Sequence, residues 1–313
     1  MEYVSIVVPC YCSGRWLEEM VSRIEKTFES REERFEIIFV NDASPDENET
    51  WKNIKRLADT NPHVRGFDLM FNTGQYRATL CGIHHAAGSW IVTIDDDLQH
   101  SPEDIPVMLD YARENELDCV IASFKEKKHG PIRLMGTGIR EFIFSVFYGK
   151  PKGVRATGFR VMSADLARLL NEHGTANPNL NALIYNSTSR IGNVQVNHSE
   201  RPYGKSGYTL RRLARMLFDS IFTVSTLPLK IVSLVGLLSA IISMLLGGFY
   251  LFTYFIGRGI DQSGFTTLVL LIILFGGMTL FSVGLLGEYF IRVLEEVKGK
   301  PRFYVREQTH EQE

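Results

Sequence analysis

Residues 89–100 read SWIVTIDDDLQH, and the fold turns on how this stretch is read. An apolar run from Trp90 to Ile94 ends in three consecutive aspartates, Asp95, Asp96 and Asp97. The run predicts a buried strand. Carboxylates crowded at its end repel one another, so they fit a place where positive charge arrives. Asp95 and Asp97 form a D-x-D pair of hard oxygen donors. Mg2+ or Mn2+ takes such donors, commonly one or two carboxylates with phosphate oxygens and water. Alone, three acids also fit a solvated loop or a helix cap; their setting favours the cation.

That setting is an alternation of strands and helices. YVSIVVP (3–9), FEIIFV (35–40), VRGFDLM (64–70), SWIVTID (89–95) and DCVIAS (118–123) read as strands. Helical patterns separate them. One runs from about Trp16 to Phe28. Another covers 44–59, with Ser44 expected as cap and Pro45 in the first turn. A third covers 73–88 and is expected to close at Gly88. A fourth covers 101–115, with Ser101 and Asp104 as a capping pair. Near-continuous apolar strands alternating with helices imply an α/β fold with a mostly parallel sheet covered on both faces. Ligands of such sheets bind past the carboxyl ends of the strands. Asp42 and Asp95–Asp97 both fall there and are expected to converge.

Composition narrows the rest. The 313 residues carry a formal net charge of −2, so bulk electrostatics give no sign of a nucleic-acid partner. Cys10, Cys12, Cys81 and Cys119 have neither zinc nor disulfide spacing and read as buried free thiols in a reducing compartment. The first residues, MEYVSIVVPC, have no basic leader and read as a strand.

The chain changes character near residue 228. Residues 231–256 and 262–287 carry no charge, and each run exceeds the roughly 20 residues that a spanning helix needs. Arg211, Arg212, Arg215 and Lys230 precede the first run; Arg292, Lys298, Lys300, Arg302 and Arg306 follow the second. The short connection GRGID (257–261) has only Arg258, beside Asp261. The positive-inside rule then predicts two transmembrane helices with both ends cytoplasmic. The expected organisation is a cytosolic catalytic domain over 1–205, an amphipathic juxtamembrane region over 206–229, a two-helix membrane hairpin over 230–289 and a cytoplasmic tail over 290–313.

Two further stretches suit an interface. GPIRLMGTGIREFIFSVFYGK (130–150) mixes basic and large apolar residues, and Arg133 and Arg140 share a face if it is helical. Residues 208–230 have the same amphipathic character. RPYGKSGY (201–208) offers Arg201, Tyr203, Lys205, Ser206 and Tyr208 as donors beside glycines. Histidines 84, 85 and 100 are read as ordinary helix or loop residues.

The ordered segments VVPCYCSGRWL, VNDASPD, NTGQYRATLCGIHHAAG, TIDDDLQHSPEDIP and ATGFRVMS resemble the motifs of family 2 glycosyltransferases with the GT-A, Rossmann-like fold. RPYGKSGYTLRRL, the paired apolar runs, GLLGEY and KGKPRFYV narrow the resemblance to polyisoprenyl-phosphate glycosyltransferases, bactoprenol glucosyltransferase and dolichol-phosphate mannose synthase among them. The resemblance implies that a nucleotide sugar, UDP-glucose first among the donors, gives its hexose with inversion to a polyprenyl phosphate such as undecaprenyl phosphate at the cytoplasmic face of the cell membrane. GlcNAc, galactose, mannose and aminoarabinose donors stay open.

The same resemblance implies roles for residues. Asp95 and Asp97 hold the Mg2+ or Mn2+. Pro9, Tyr11 and Asp42 hold the nucleotide base, with Asn72, Gly74, Gln75 and Asp96 completing the donor site. Asp97, Arg133, Arg140 and Arg160 act on the reacting phosphates, and the 201–208 loop closes over them. Asp96 is the reserve base. The resemblance also implies a homo-oligomer, a tetramer by analogy. Two positions depart from the pattern. Cys12 and Ser13 stand where the family has Asn-Glu, and Val154 stands where relatives often carry an acid. Other readings are a processive polysaccharide synthase and a non-catalytic component of a glycolipid flippase or channel.

Overall fold

The structure is a computed structural model. It describes residues 2–124, 154, 157–172, 179–196, 264–297 and 301–309, with scattered positions between 229 and 256. The chain divides into two compact units, residues 1–207 with 299–313, and residues 208–298.

The first unit is built on one sheet. Its elements are β1 (Tyr3–Cys10), α1 (Leu17–Phe28), β2 (Arg34–Asn41), α2 (Glu49–Thr60), β3 (Val64–Leu69), α3 (Gln75–His84), β4 (Trp90–Thr93), α4 (Ile105–Glu114), β5 (Cys119–Phe124), β6 (Arg160–Ser163), α5 (Ala164–Glu172), α6 (Leu180–Ser187) and β7 (Ile191–Val196). An eighth strand, β8 (Val305–Gln308), lies far downstream. The order across the sheet is β7-β5-β6-β4-β1-β2-β3-β8. Neighbours pair in parallel at β1–β2, β1–β4, β2–β3 and β5–β7, whereas β6 and β8 run antiparallel to theirs. The expected mostly parallel α/β sheet is therefore present. The central strands are apolar on both faces because helices cover both. Val4, Ile6, Val8, Ile37 and Phe39 pack against Leu17, Met20, Ile24 and Ile54 in one core.

Three helix ends depart from expectation. Ser44 does not cap α2, which begins at Glu49. The Ser44 hydroxyl instead donates to Asn41 Oδ1 at 2.6 Å, and Asp46 Oδ2 takes the Thr50 amide at 3.1 Å. Ser101 makes no side-chain cap; a 3-10 turn over Pro102–Asp104 leads into α4. Helix α3 stops at His84, short of Gly88. Residues beyond it are drawn to the sheet, with Ala87 N bonded to Glu36 Oε1 at 2.9 Å and Gly88 N to Ser5 Oγ at 2.8 Å. Of the four cysteines, Cys10, Cys81 and Cys119 are buried free thiols, but Cys12 is exposed.

β8 is the largest addition to the expected architecture. It pairs with β3 at the sheet edge, with Phe67 opposite Gln308 and Asp68 opposite Glu307. Trp51 Nε1 donates to Glu307 Oε2 at 2.8 Å, and Gly66 N to Thr309 Oγ1 at 2.8 Å. The segment expected as a tail thus contains a strand of the catalytic sheet.

In the second unit, α7 (Phe265–Val297) is a 33-residue helix. Among the described residues it is the one helix long and apolar enough to cross a membrane, over Leu274–Ile291, with mean hydropathy 1.5. The other uncharged run, 231–256, is described only at scattered helical positions, so a pair of spanning helices rests on the sequence.

Candidate active site

The carboxyl ends of β1, β2 and β4 present three loops side by side. After β1 the chain turns sharply through Cys12, whose φ is +56°. The turn is pinned from below: Cys12 N donates to Ser44 Oγ at 3.0 Å, and Ser13 N and Gly14 N donate to Thr50 Oγ1 at 3.1 and 3.2 Å. This leaves Tyr11 exposed on the surface of the site.

After β2, Asp42 is buried. Its carboxylate accepts three hydrogen bonds, from Thr73 N at 2.7 Å, Thr73 Oγ1 at 2.9 Å and Gly74 N at 2.9 Å. Its carbonyl accepts from Asn72 Nδ2 at 3.2 Å. Asp42, Asn72 and Gly74, expected separately at the donor site, are therefore one bonded cluster. The cluster sets the start of α3, where Gly74 takes a φ of +88° and Gln75 opens the helix.

After β4 come the aspartates, and they divide. Asp95 Oδ1 accepts from Gln75 Nε2 at 2.6 Å, while Asp95 Oδ2 lies 3.8 Å from His100 Nδ1. Asp96 turns toward the β1 loop and accepts from Tyr11 N at 3.1 Å. Asp97 Oδ1 accepts from Gln99 N at 3.1 Å, closing an Asx turn around Leu98, whose φ is +55°. Burial raises the Asp96 carboxyl to about 6, with the Asp95 and Asp97 charges adding to the rise. Asp95 and Asp97 are the pair that the sequence nominates for a cation. Among the described residues no group of three or more His, Cys, Asp or Glu gathers to cage a metal unaided. Two carboxylates suit a hard cation that shares its coordination with phosphate oxygens.

A cavity of about 170 Å3 opens beside Asp95, lined in part by Pro9, Gln75, Thr157, Arg160 and Asn181. Arg160 is 2% exposed. Its Nη2 donates to Thr157 O at 2.6 Å and to Asn181 Oδ1 at 3.0 Å, both uncharged acceptors. A buried guanidinium facing a cavity on neutral partners favours a ligand with negative charge. Four expected residues, Pro9, Gln75, Asp95 and Arg160, thus share one cavity, and Tyr11 is bonded through its amide to Asp96, the neighbour of Asp95.

Arg133, Arg140, Arg201, Tyr203, Lys205, Ser206 and Tyr208 lie outside the described residues. Val154 is buried. The sequence nominates neither Gly158 nor Asn181 for the site, and His100 is read from it as an ordinary loop residue. Gly158 had a signal, being a glycine one turn ahead of a strand inside ATGFRVMS. Asn181 and His100 had none that separated them from ordinary helix and loop residues.

A mostly parallel sheet with an acidic turn, a pinned first loop and an anion-seeking cavity at its carboxyl edge is the architecture of a GT-A glycosyltransferase. The chain belongs to glycosyl transferase family 2, whose model matches residues 5–168, just over half its length. It is an enzyme of that kind. It is 30% identical over 321 residues to undecaprenyl-phosphate 4-deoxy-4-formamido-L-arabinose transferase of Shewanella sediminis (strain HAW-EB3), covering 98% of this chain and 92% of the relative. The protein of that name from Salmonella choleraesuis (strain SC-B67) is 29% identical, covering 97% and 93%.

Solved structures agree in fold. Glucosyl-3-phosphoglycerate synthase from Mycobacterium tuberculosis in complex with UDP matches with a TM-score of 0.52 and 16% identity, covering 71% of this chain and 79% of that one. Mannosyl-3-phosphoglycerate synthase from Rubrobacter xylanophilus matches with a TM-score of 0.51 and 18% identity, covering 70% and 72%. The mycobacterial enzyme with Mn2+, UDP and phosphoglyceric acid gives 0.50 at 16% identity, covering 71% and 76%.

Proposed function

We propose that the protein transfers a sugar from a uridine diphosphate donor to a polyprenyl phosphate, with inversion, at the cytoplasmic face of a membrane. The observation that carries this is the Asp95–Asp97 turn beside the Arg160 cavity. Asp95 and Asp97 would hold Mg2+ or Mn2+, which supplies charge neutralisation for the departing diphosphate. Gln75 fixes the Asp95 carboxylate, and the Tyr11 amide holds Asp96. Arg160 provides a fixed positive charge that needs no reorganisation.

No side chain has to remove a proton. A phosphate monoester has its second pKa near 6, about that of phosphoserine, so the acceptor is already mostly dianionic at neutral pH. One acceptor oxygen bonds to the anomeric carbon as the bond to the diphosphate breaks. A buried Val154 where relatives often carry an acid is compatible with this chemistry. Catalysis is then positioning and charge neutralisation.

The curated relatives support the lipid acceptor by their names, and one apolar helix supports a membrane. Topology supports two crossings. Residues 305–308 complete a sheet whose other strands precede the apolar segment, which supports both ends of that segment lying on one side. The sugar is read as a UDP-linked pyranose, with glucose and 4-formamido-arabinose as the donors to compare.

The test is incubation of membranes bearing the protein with radiolabelled UDP-sugars and a short polyprenyl phosphate, with and without EDTA. The expected result is chloroform-soluble label that disappears on chelation. Label retained in a polymer selects a processive synthase, and no label with any donor defeats the transferase reading.

A further inference from the structure

The C-terminal strand is bonded to the part of the sheet that carries the donor loops, and the bonds form a chain. Arg306 Nη2 donates to Met70 O at 2.7 Å, where the 70–75 loop begins, and Arg306 Nη1 stands 3.6 Å from Asp68 Oδ2. Met70 N donates to Tyr304 O at 2.8 Å, so the start of this loop is held to the strand twice. Asp68 is buried, and its Oδ1 accepts from Asn41 Nδ2 at 2.7 Å. Asn41 Oδ1 accepts the Ser44 hydroxyl at 2.6 Å, and Ser44 Oγ accepts Cys12 N at 3.0 Å. The next residue back, Tyr11, gives its amide to Asp96.

We infer that β8 is a positioning element of the donor site: through Arg306, Asp68 and Asn41 it fixes the two loops, 10–14 and 70–75, that present Tyr11 and Gln75. The physical reason lies in what each bond replaces. β3 would otherwise be an edge strand, and the loop following it would leave the sheet with its first amide and carbonyl held only by solvent. Asp68 and Asn41 are buried polar groups, and buried networks of this kind hold their members in one arrangement when every member is bonded. Losing the outermost member loosens the next. Tyr11 and Gln75 touch Asp96 and Asp95 directly, so movement of either loop moves the acidic turn.

The inference rests on the donor-site reading, and the experiment separates the two. Binding of UDP in the presence of Mn2+ is measured by calorimetry on the full-length protein in detergent, beside thermal melting and steady-state transfer. Arg306→Ala is expected to weaken UDP binding about fivefold and to raise the donor KM in step, with kcat within about twofold. Arg306→Lys should recover part of the loss, because one ammonium replaces a fork. Asn41→Ala should weaken binding about tenfold, since it breaks the chain at its buried centre. Arg168→Ala removes only an exposed contact to Asp165 on α5, outside this chain of bonds, and should leave UDP affinity unchanged. Wild-type protein that binds UDP as tightly as a stably folded Arg306→Ala variant overturns the inference alone. Wild-type protein that binds no UDP overturns the donor-site reading and the inference together.

Discussion

Gly158 and Asp95 stand so close that any side chain at position 158 would meet the Asp95 carboxylate. A β-carbon there would stand 2.5 Å from Asp95 Oδ1 and 2.7 Å from Oδ2. Thr93 Oγ1 donates to Gly158 O at 2.8 Å and holds the glycine against the end of β4. Gly158→Ala must therefore push the Asp95 carboxylate aside or displace its own backbone. A misplacement near 1 Å at a reacting site costs about 100-fold in rate. The expected outcome is a loss of about 100-fold in kcat/KM with a melting transition retained. Transfer assays beside thermal scans check it, and near-wild-type turnover would show that Asp95 has no fixed position to lose.

Asp95 and Asp97 are predicted to share one cation. Asp97→Asn should lower kcat/KM about 100-fold and raise the Mn2+ concentration for half-maximal activity, because one anionic ligand is lost. The Asx turn to Gln99 N survives, since the asparagine oxygen still accepts. A metal titration of wild type and variant reads this. Equal Mn2+ dependence in both would assign Asp97 to the turn alone.

The extent to which these features can be read from the chain differs with the range of the interaction. The first five strands are visible as β-branched runs, and the acidic turn is visible as three aspartates at the end of one of them. Local rules misjudge Ser44, because a hydroxyl that could cap a helix is taken by Asn41, a partner known only once β2 and the following loop are folded. β8 is invisible for a related reason. VREQ is short, polar and mostly exposed, and its partner β3 lies more than 200 residues upstream. Gly158 stands in a recognisable motif, yet the carboxylate that a side chain there would meet comes from the turn after β4. The two long uncharged runs are clear in sequence, while the structure describes one of them as a continuous helix.

Asp42 is predicted to act by holding the 72–74 loop. Asp42→Asn presents an amide to Thr73 N, Thr73 Oγ1 and Gly74 N, so at least one part-buried donor loses its acceptor. The cost is about 1–3 kcal/mol of stability. The donor KM should rise about tenfold, because Gln75 follows directly on this loop and bonds Asp95. Denaturant unfolding and donor titration together test it; an unchanged KM would separate the loop from the site.

Acid stability should depend on Glu33. Arg31 grips it through Nε at 2.8 Å and Nη2 at 2.7 Å, and Arg113 Nη1 adds a bond at 2.9 Å. The Arg31 fork holds the Glu33 carboxyl down at about 2, against an ordinary 4.5. A depressed folded-state value means that the contribution is whole above the ordinary value and fades as pH falls from 4.5 toward 2. Solvent screens the more exposed members of the network, so the contribution is held to about 1 kcal/mol. Glu33→Gln should lower stability by that amount at pH 7 and by nearly nothing at pH 2. Thermal melts across this range decide, and a difference that persists at pH 2 would refute the assignment to charge.

The last prediction follows from parity. Residues 301–309 bond to β3, Leu170 and the loop after β3, all of which precede the apolar segment. A chain that leaves one side of a membrane and returns to complete its own sheet must cross an even number of times. α7 is long and apolar enough to supply one crossing. The uncharged run 231–256 is long enough to supply the other, since its 26 residues span about 39 Å as a helix. Reporters fused at the N-terminus and the C-terminus should therefore be active on the same face, and one inserted in 257–261 on the opposite face. Deleting 231–256 should carry residues 301–309 to the wrong side and leave β3 without its partner, visible as lost activity and easier proteolysis near Met70. Terminal reporters on opposite faces of an active protein would be incompatible with the sheet, because no single crossing lets β8 reach β3.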